Sequence, residues 1–391
     1  MPRPRLFKPP ALQSGSERER HATWLELFYD LIFVGAVAQL AATFYGSYDF
    51  GGLARFAFLS LPVWWAWAGH TFYLTRFDTD DAGHRLLTMA QMIAVAAMAS
   101  NVAGAFGPSS GAFALSYAAV RAVLVAQYLR AGHHLPEARP LTRRYSRGFG
   151  AAALIWALSV LFPPQARPLV WAAAIAVDFL TPITAGTIHS RFPPHQMHLP
   201  ERFGLFTIIV LGEAVVGVVS GEGTGGLALV PALAGVMGLV IAFALWWGYF
   251  EGVGGASIRV VRTFEHVPRY QLWLYAHLPL IMGITATAVG VRHVIGLPPF
   301  QPLPAAAGWI LSGAVGASCL ALAAILLASY PAGRYRELRG RLAAYLVIAI
   351  LGIGTGFIGG RVPGVAVLAI LMALSVAQIA FSLQGLPAAE Q

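Results

Sequence analysis

Residues 203–220 read FGLFTIIVLGEAVVGVVS, a run of eighteen whose one charged residue, Glu213, stands ten residues from its start. As a helix rising about 1.5 Å per residue, the run covers most of a bilayer core about 30 Å thick and puts Glu213 about 15 Å in, near the midplane. Runs of the same kind, bounded by polar or Gly/Pro breaks, fall near 24–45, 53–75, 84–106, 111–130, 148–163, 169–189, 229–250, 270–291, 305–329, 341–359 and 363–384. The composition agrees with them: 57% of the 391 residues are hydrophobic, 11% are charged, and the mean hydropathy is +0.66. Soluble domains carry about 25% charged residues, so a water-soluble globular protein is excluded. The 42 glycines and 25 prolines suit membrane helices, which tolerate both. The expected fold is an all-α integral membrane bundle of about twelve transmembrane helices.

Loop charges test that reading, because cytoplasmic loops are rich in Lys and Arg. With the N-terminus inside, 21 of the 26 basic residues fall on the cytoplasmic side, only Arg55, Arg167, Arg292 and Arg361 fall opposite, and Arg121 lies within a span. The net charge of +9 therefore sits in loops and forms no nucleic-acid face. Both termini are expected in the cytoplasm. The N-terminal MPRPRLFKPPALQSGSERER has no apolar core and reads as a tail, not a signal peptide. Cys319 is the single cysteine, so no intrachain disulfide is available.

An internal repeat follows from pairing Glu26-Leu27-Phe28 with Glu201-Arg202-Phe203. Gln39 then falls one place from Glu213; with a longer loop allowed in the second half, Trp64-Trp65-Ala66-Trp67 lies over Trp246-Trp247-Gly248-Tyr249, and with one more small shift Gln91 lies over His277. The basic segments Arg139–Arg147 and Arg334–Arg341 correspond as loops after the fourth and tenth spans. The organisation expected is a cytoplasmic tail (1–23), a six-helix half (24–189), a cytoplasmic linker (190–202), a second six-helix half (203–384) and a C-terminal tail (385–391). Six helices per half make the repeats parallel.

Ionisable residues inside a bilayer cost at least about 2.5–3.5 kcal/mol on insertion scales and normally face the bundle interior or a watery cavity. Glu26 and Asp30 stand at i and i+4 on one helix face, where like charges repel and require a neighbouring cation or a proton. The alternative is an interfacial helix start capped by acids and paired with a loop arginine. Glu213 is either a proton or cation carrier or a protonated acid bonded to another helix. His277 and His70 lie within spans, as switchable groups or as packing residues. Asp178 and Arg121 are open partners, for each other or for Glu213. Gln39, Gln91, Trp64, Trp65, Trp246 and Trp247 complete a candidate polar and aromatic site between the halves, for a small-molecule or lipid substrate or a proton.

At the surface, Arg76-Phe77-Asp78-Thr79-Asp80-Asp81 is an acidic loop. Asp78, Asp80 and Asp81 suit Mg²⁺ on a diphosphate, or else a helix cap paired with Arg76 and Arg85. His133-His134 and His195/His198 match no metal-site spacing and read as loop residues. No phosphate-binding loop, dinucleotide fingerprint or nucleophile elbow occurs.

Trp24-Leu25-Glu26-Leu27-Phe28-Tyr29-Asp30-Leu31-Ile32-Phe33-Val34, the Trp64–Trp67 run followed by Arg76–Asp81, and Glu201–Glu213 together resemble the bacterial low temperature requirement A family. The resemblance runs to about residue 295. It implies a polytopic protein of the bacterial inner membrane and marks Glu26, Asp30, Asp78, Asp81, Glu201 and Glu213 as motif positions without roles. Two functions remain in view. One is a secondary transporter using the intramembrane polar residues. The other is a membrane enzyme for a lipid or isoprenoid diphosphate, with Mg²⁺ on the Asp loop.

Overall fold

An apolar segment cut off from water must satisfy its backbone internally, and a helix does so within one segment. The computed structural model describes residues 8–12, 22–78, 80–186, 188, 191–195, 198–219, 229–252, 267–330 and 335–384. Among them the long helices are α1 (Trp24–Tyr45), α2 (Phe50–Leu74), α3 (Ala82–Ser100), α4 (Ser110–His134), α5 (Arg139–Leu158), α6 (Arg167–Ile183), α7 (His198–Val219), α8 (Leu229–Trp247), α9 (Val267–Ile295), α10 (Ala305–Ser329), α11 (Tyr335–Gly354) and α12 (Gly364–Gln384). The protein is all-α. Eight segments, in α1, α4, α7, α8, α9, α10, α11 and α12, are long and apolar enough to cross a membrane. The helices α2, α3, α5 and α6 stand at the other expected spans but fall outside that set; α6 has only 17 residues.

The basic segment 139–147 is helical, not a loop. Pro140 suits the first turn of α5, where no backbone donor is needed. Leu141, Tyr145 and Phe149 bury one face while Arg139, Arg143, Arg144 and Arg147 stay exposed on the other. Arg336, Arg339 and Arg341 likewise lie in the first turns of α11, Arg334 being outside the described residues. Part of the N-terminal tail is ordered against the α2–α3 connection: β1 (Ala11–Leu12) pairs antiparallel with β2 (Phe77–Asp78). Leu12 packs on a buried cluster that includes Tyr73, Phe77, Tyr128, Tyr145 and Phe149. At the turn before α12, a one-turn helix (Gly356–Gly359) crosses α10 so closely that a Cβ on Gly308 would lie 3.0 Å from the Gly359 Cα.

α3 shows how the helices sort polarity. Its buried face carries His84, Thr88 and Gln91, whereas Leu86, Met89 and Ile93 are 58%, 52% and 62% exposed. The same helix also buries Met92, Val95 and Met98, so its interior face mixes polar and apolar side chains while large apolar ones remain outside.

Internal packing divides the described chain into two compact units. One holds residues up to 40, 59–202 and 267–268; the other holds 41–58, 203–252 and 269–384.

Candidate functional site

In the first unit, Glu26 and Asp30 project from one face of α1 and are both buried. The cation their repulsion calls for is Arg202, from the first turn of α7. Its two terminal nitrogens lie 3.3 Å from Glu26 Oε2 and 2.8 Å from Asp30 Oδ1. Trp67 Nε1 donates to the same Asp30 oxygen at 2.7 Å, and His198 Nε2 lies 2.8 Å from Glu26 Oε2. The Thr23 hydroxyl donates to Glu26 Oε1 at 3.2 Å. Asp30 Oδ2 has no hydrogen-bond partner among the described residues. Both partners escape a sequence reading: Arg202 counts there as a linker charge and His198 as a loop histidine. The signal that could have found them is the Glu201-Arg202-Phe203 match to the acid-bearing start of α1.

Deeper in this unit, His70 is fully buried, with the Tyr29 ring tilted against it at 4.1 Å between ring centroids. Its Nδ1 meets Gln127 Oε1 at 3.3 Å, and the His84 ring lies parallel to it at 6.4 Å. Gln91 is fully buried, and neither of its amide atoms is bonded within the described residues. Trp64 and Trp65 are packed in the interior, Trp65 stacking on Phe179 at 4.3 Å.

The open partnership of Asp178 and Arg121 is settled: they pair with each other at 2.9 Å, wholly buried. Tyr117 completes the network, donating its hydroxyl to Asp178 Oδ2 at 2.6 Å and accepting from Arg121 Nε at 2.8 Å. Gly69 makes room for the guanidinium, since a Cβ there would lie 2.7 Å from an Arg121 nitrogen.

In the second unit, His277 is fully buried with both nitrogens engaged, by the Tyr249 hydroxyl at 3.0 Å and by the Trp273 carbonyl at 2.7 Å. It packs on Phe203, ten residues and about 15 Å along α7 from Glu213. Glu213 is 8% exposed, and Arg292 is the charge acting on it. Next to it in the chain, Ala214 lines a cavity of about 10 Å³ shared with Leu245, Ile284 and Thr287, room for about one water. Trp246 and Trp247 are half-buried and associate with Phe243. Gln39, which belongs to the first unit, is exposed.

The Asp loop is spent on structure. Asp80 pairs with Arg85 at 2.8 Å on the exposed surface. Asp81 caps α3, accepting from the His84 backbone N–H at 3.0 Å, and pairs with Arg130 at 2.7 Å and with the Lys8 backbone N–H at 3.1 Å. Burial pushes the Asp81 carboxyl up, but those donors and the Arg130 charge outweigh it and hold it below the ordinary carboxylate value. Asp78 contributes backbone pairing with Ala11. Among the described residues, no group of three or more His, Cys, Asp or Glu is placed to hold a metal ion. The Mg²⁺-dependent enzyme thus finds no support in this loop.

Residues 21–381 match the family described as bacterial low temperature requirement A protein (LtrA). The chain belongs to that family. The LtrA match extends past residue 295, so the last three helices are part of the shared pattern. A relative is an uncharacterized protein of Rhizobium meliloti, 27% identical over an alignment of 316 positions that covers 73% of this chain and 75% of the relative. No solved structure matches.

Proposed function

We propose that this LtrA protein is a secondary-transporter-like protein of the bacterial inner membrane that moves a small polar solute coupled to protons. In this reading the twelve long helices all cross the bilayer as two parallel six-helix repeats, 24–189 and 203–384, with both termini in the cytoplasm. The one-sided distribution of basic residues along the sequence supports that orientation.

The observation that carries the proposal is the Glu26–Arg202–Asp30 bridge. Burying three ionised groups contributes little net stability, and well-packed apolar residues of similar volume often do as well or better. Intramembrane charges retained at such a cost mark ion or substrate pathways. A proton taken up on Asp30 would weaken the hold of Arg202, so protonation and the α1–Arg202 latch are coupled. Glu213 is a second proton carrier, and His277, with both nitrogens bonded, serves packing.

Everted membrane vesicles energised to acidify their lumen test the proposal. A panel of polyols, amides, amines and organic acids is added while the pH gradient is followed by a quenched acridine dye. A transported solute collapses the gradient with the unaltered protein and fails to do so with Asp30→Asn. Equal solute-driven proton movement in Asp30→Asn removes the latch from the mechanism; the same outcome for Glu213→Gln removes the second carrier.

A further inference from the structure

Three helices of the first unit turn inward polar side chains that keep unmet hydrogen-bonding atoms among the described residues. From α2, the His70 Nδ1 faces the Gln127 oxygen, which keeps the ring proton on Nδ1 and leaves Nε2 an acceptor with no donor. From α4, Gln127 spends its oxygen on His70 and leaves its amide hydrogens unmet. From α3, His84, Thr88 and Gln91 line one face at i, i+4 and i+7; His84 Nδ1, Thr88 Oγ1 and both Gln91 amide atoms have no partner among the described residues. All five residues are at least nine-tenths buried. The parallel His70 and His84 rings, 6.4 Å apart, are too distant for a direct hydrogen bond and suit one small group bridging them through two bonds of about 2.8 Å.

Buried polar groups normally find partners, and a site with several unmet ones points to something that fills it. We propose that His70, His84, Thr88, Gln91 and Gln127 form a binding site for a small, uncharged, hydrogen-bonding solute, one that carries hydroxyl or amide groups. This names the substrate class of the transporter reading and rests on it. The class follows from the chemistry of the open atoms: neutral donors and neutral acceptors together, in an imidazole pair, two amides and a hydroxyl. The surrounding charges are engaged with partners of their own: Glu26 and Asp30 face Arg202 and His198, Arg121 faces Asp178, and Asp81 faces Arg130.

The test is carbethoxylation of histidines by diethyl pyrocarbonate on the full-length protein in detergent, mapped by mass spectrometry. His70 and His84 are expected to react as the site opens, while His277, with both nitrogens bonded, does not. Erythritol and acetamide slow the reaction at His70 and His84 severalfold; sodium acetate and choline chloride do not. Gln91→Leu removes that protection while raising Tm, because an unmet buried amide is exchanged for an apolar side chain; should it fail to fold, Thr88→Val serves the same purpose. Two results overturn the proposal: His70 and His84 as inert as His277, or protection that neutral probes fail to give or charged probes give equally. Either leaves transport itself to be judged by the vesicle assay.

Discussion

The two compact units treat buried polar groups in contrasting ways. In the second, buried hydroxyls are satisfied locally: Thr285, Thr287, Ser318 and Ser375 each donate to the carbonyl four residues back on their own helix, and the Ser312 and Thr355 hydroxyls meet at 2.6 Å. His277 is saturated too, although Trp273 Nε1 and Arg292 Nε find no hydrogen-bond partner among the described residues. In the first unit, Thr71, Thr88, Gln91 and His70 Nε2 are left unmet, and two ionised networks, around Arg202 and around Arg121, are buried whole. Membrane helices gain from closing their polar groups on themselves. A unit that does so is built for packing, and one that does not retains polar capacity at a cost in stability, which is how functional sites usually differ from their scaffold.

The contrast breaks most severely at Arg202. Arg202→Met strands two buried carboxylates and should cost about 3–5 kcal/mol, read as a lost or strongly lowered thermal transition in detergent. Adding Glu26→Gln and Asp30→Asn should recover much of that loss; no recovery would mean that Arg202 acts by packing alone. His277→Phe should cost about 1–3 kcal/mol, since it removes the hydrogen bonds to the Tyr249 hydroxyl and the Trp273 carbonyl, while solute-driven proton movement stays unchanged. A fall in that movement at unchanged Tm would place His277 in the mechanism.

A matched pair of glycines sharpens the comparison. Gly69→Ala pushes a methyl against Arg121 and Leu124 and should destabilise by about 1–3 kcal/mol, whereas a Cβ on Gly212 meets nothing within 4 Å and Gly212→Ala should be neutral or stabilising. A modest loss is expected at Asp81→Ala, about 1 kcal/mol from the lost α3 cap. Because the folded carboxyl lies below its ordinary value, Asp81 stabilises fully at neutral pH. That contribution fades as pH falls below about 4 toward the folded value. Unfolding titrations of the two proteins should therefore converge in acid.

Helix positions were legible because hydrophobic length is a local property: each of the twelve runs carries its own signal. The basic segment 139–147 misled because four arginines look like a loop by composition, while Leu141, Tyr145 and Phe149 supply a helical face that charge counting ignores. The candidate site was legible only in half. Glu26 and Asp30 announce a need for a cation by their i, i+4 spacing, but which arginine answers is a fact of three dimensions, 172 positions away. The Asp178–Arg121 pairing was undecidable for the same reason. His277 stood out in an apolar run without revealing that Tyr249 and Trp273 consume both its nitrogens.

That separation between Asp30 and its arginine bears on how the chain is made. A ribosome delivers α1, with its two acids, to the membrane long before Arg202 exists, and five further helices must emerge in between. Nascent chains halted anywhere short of residue 202 hold α1 without its counter-charge, so full seating of the first helix is deferred until the seventh begins.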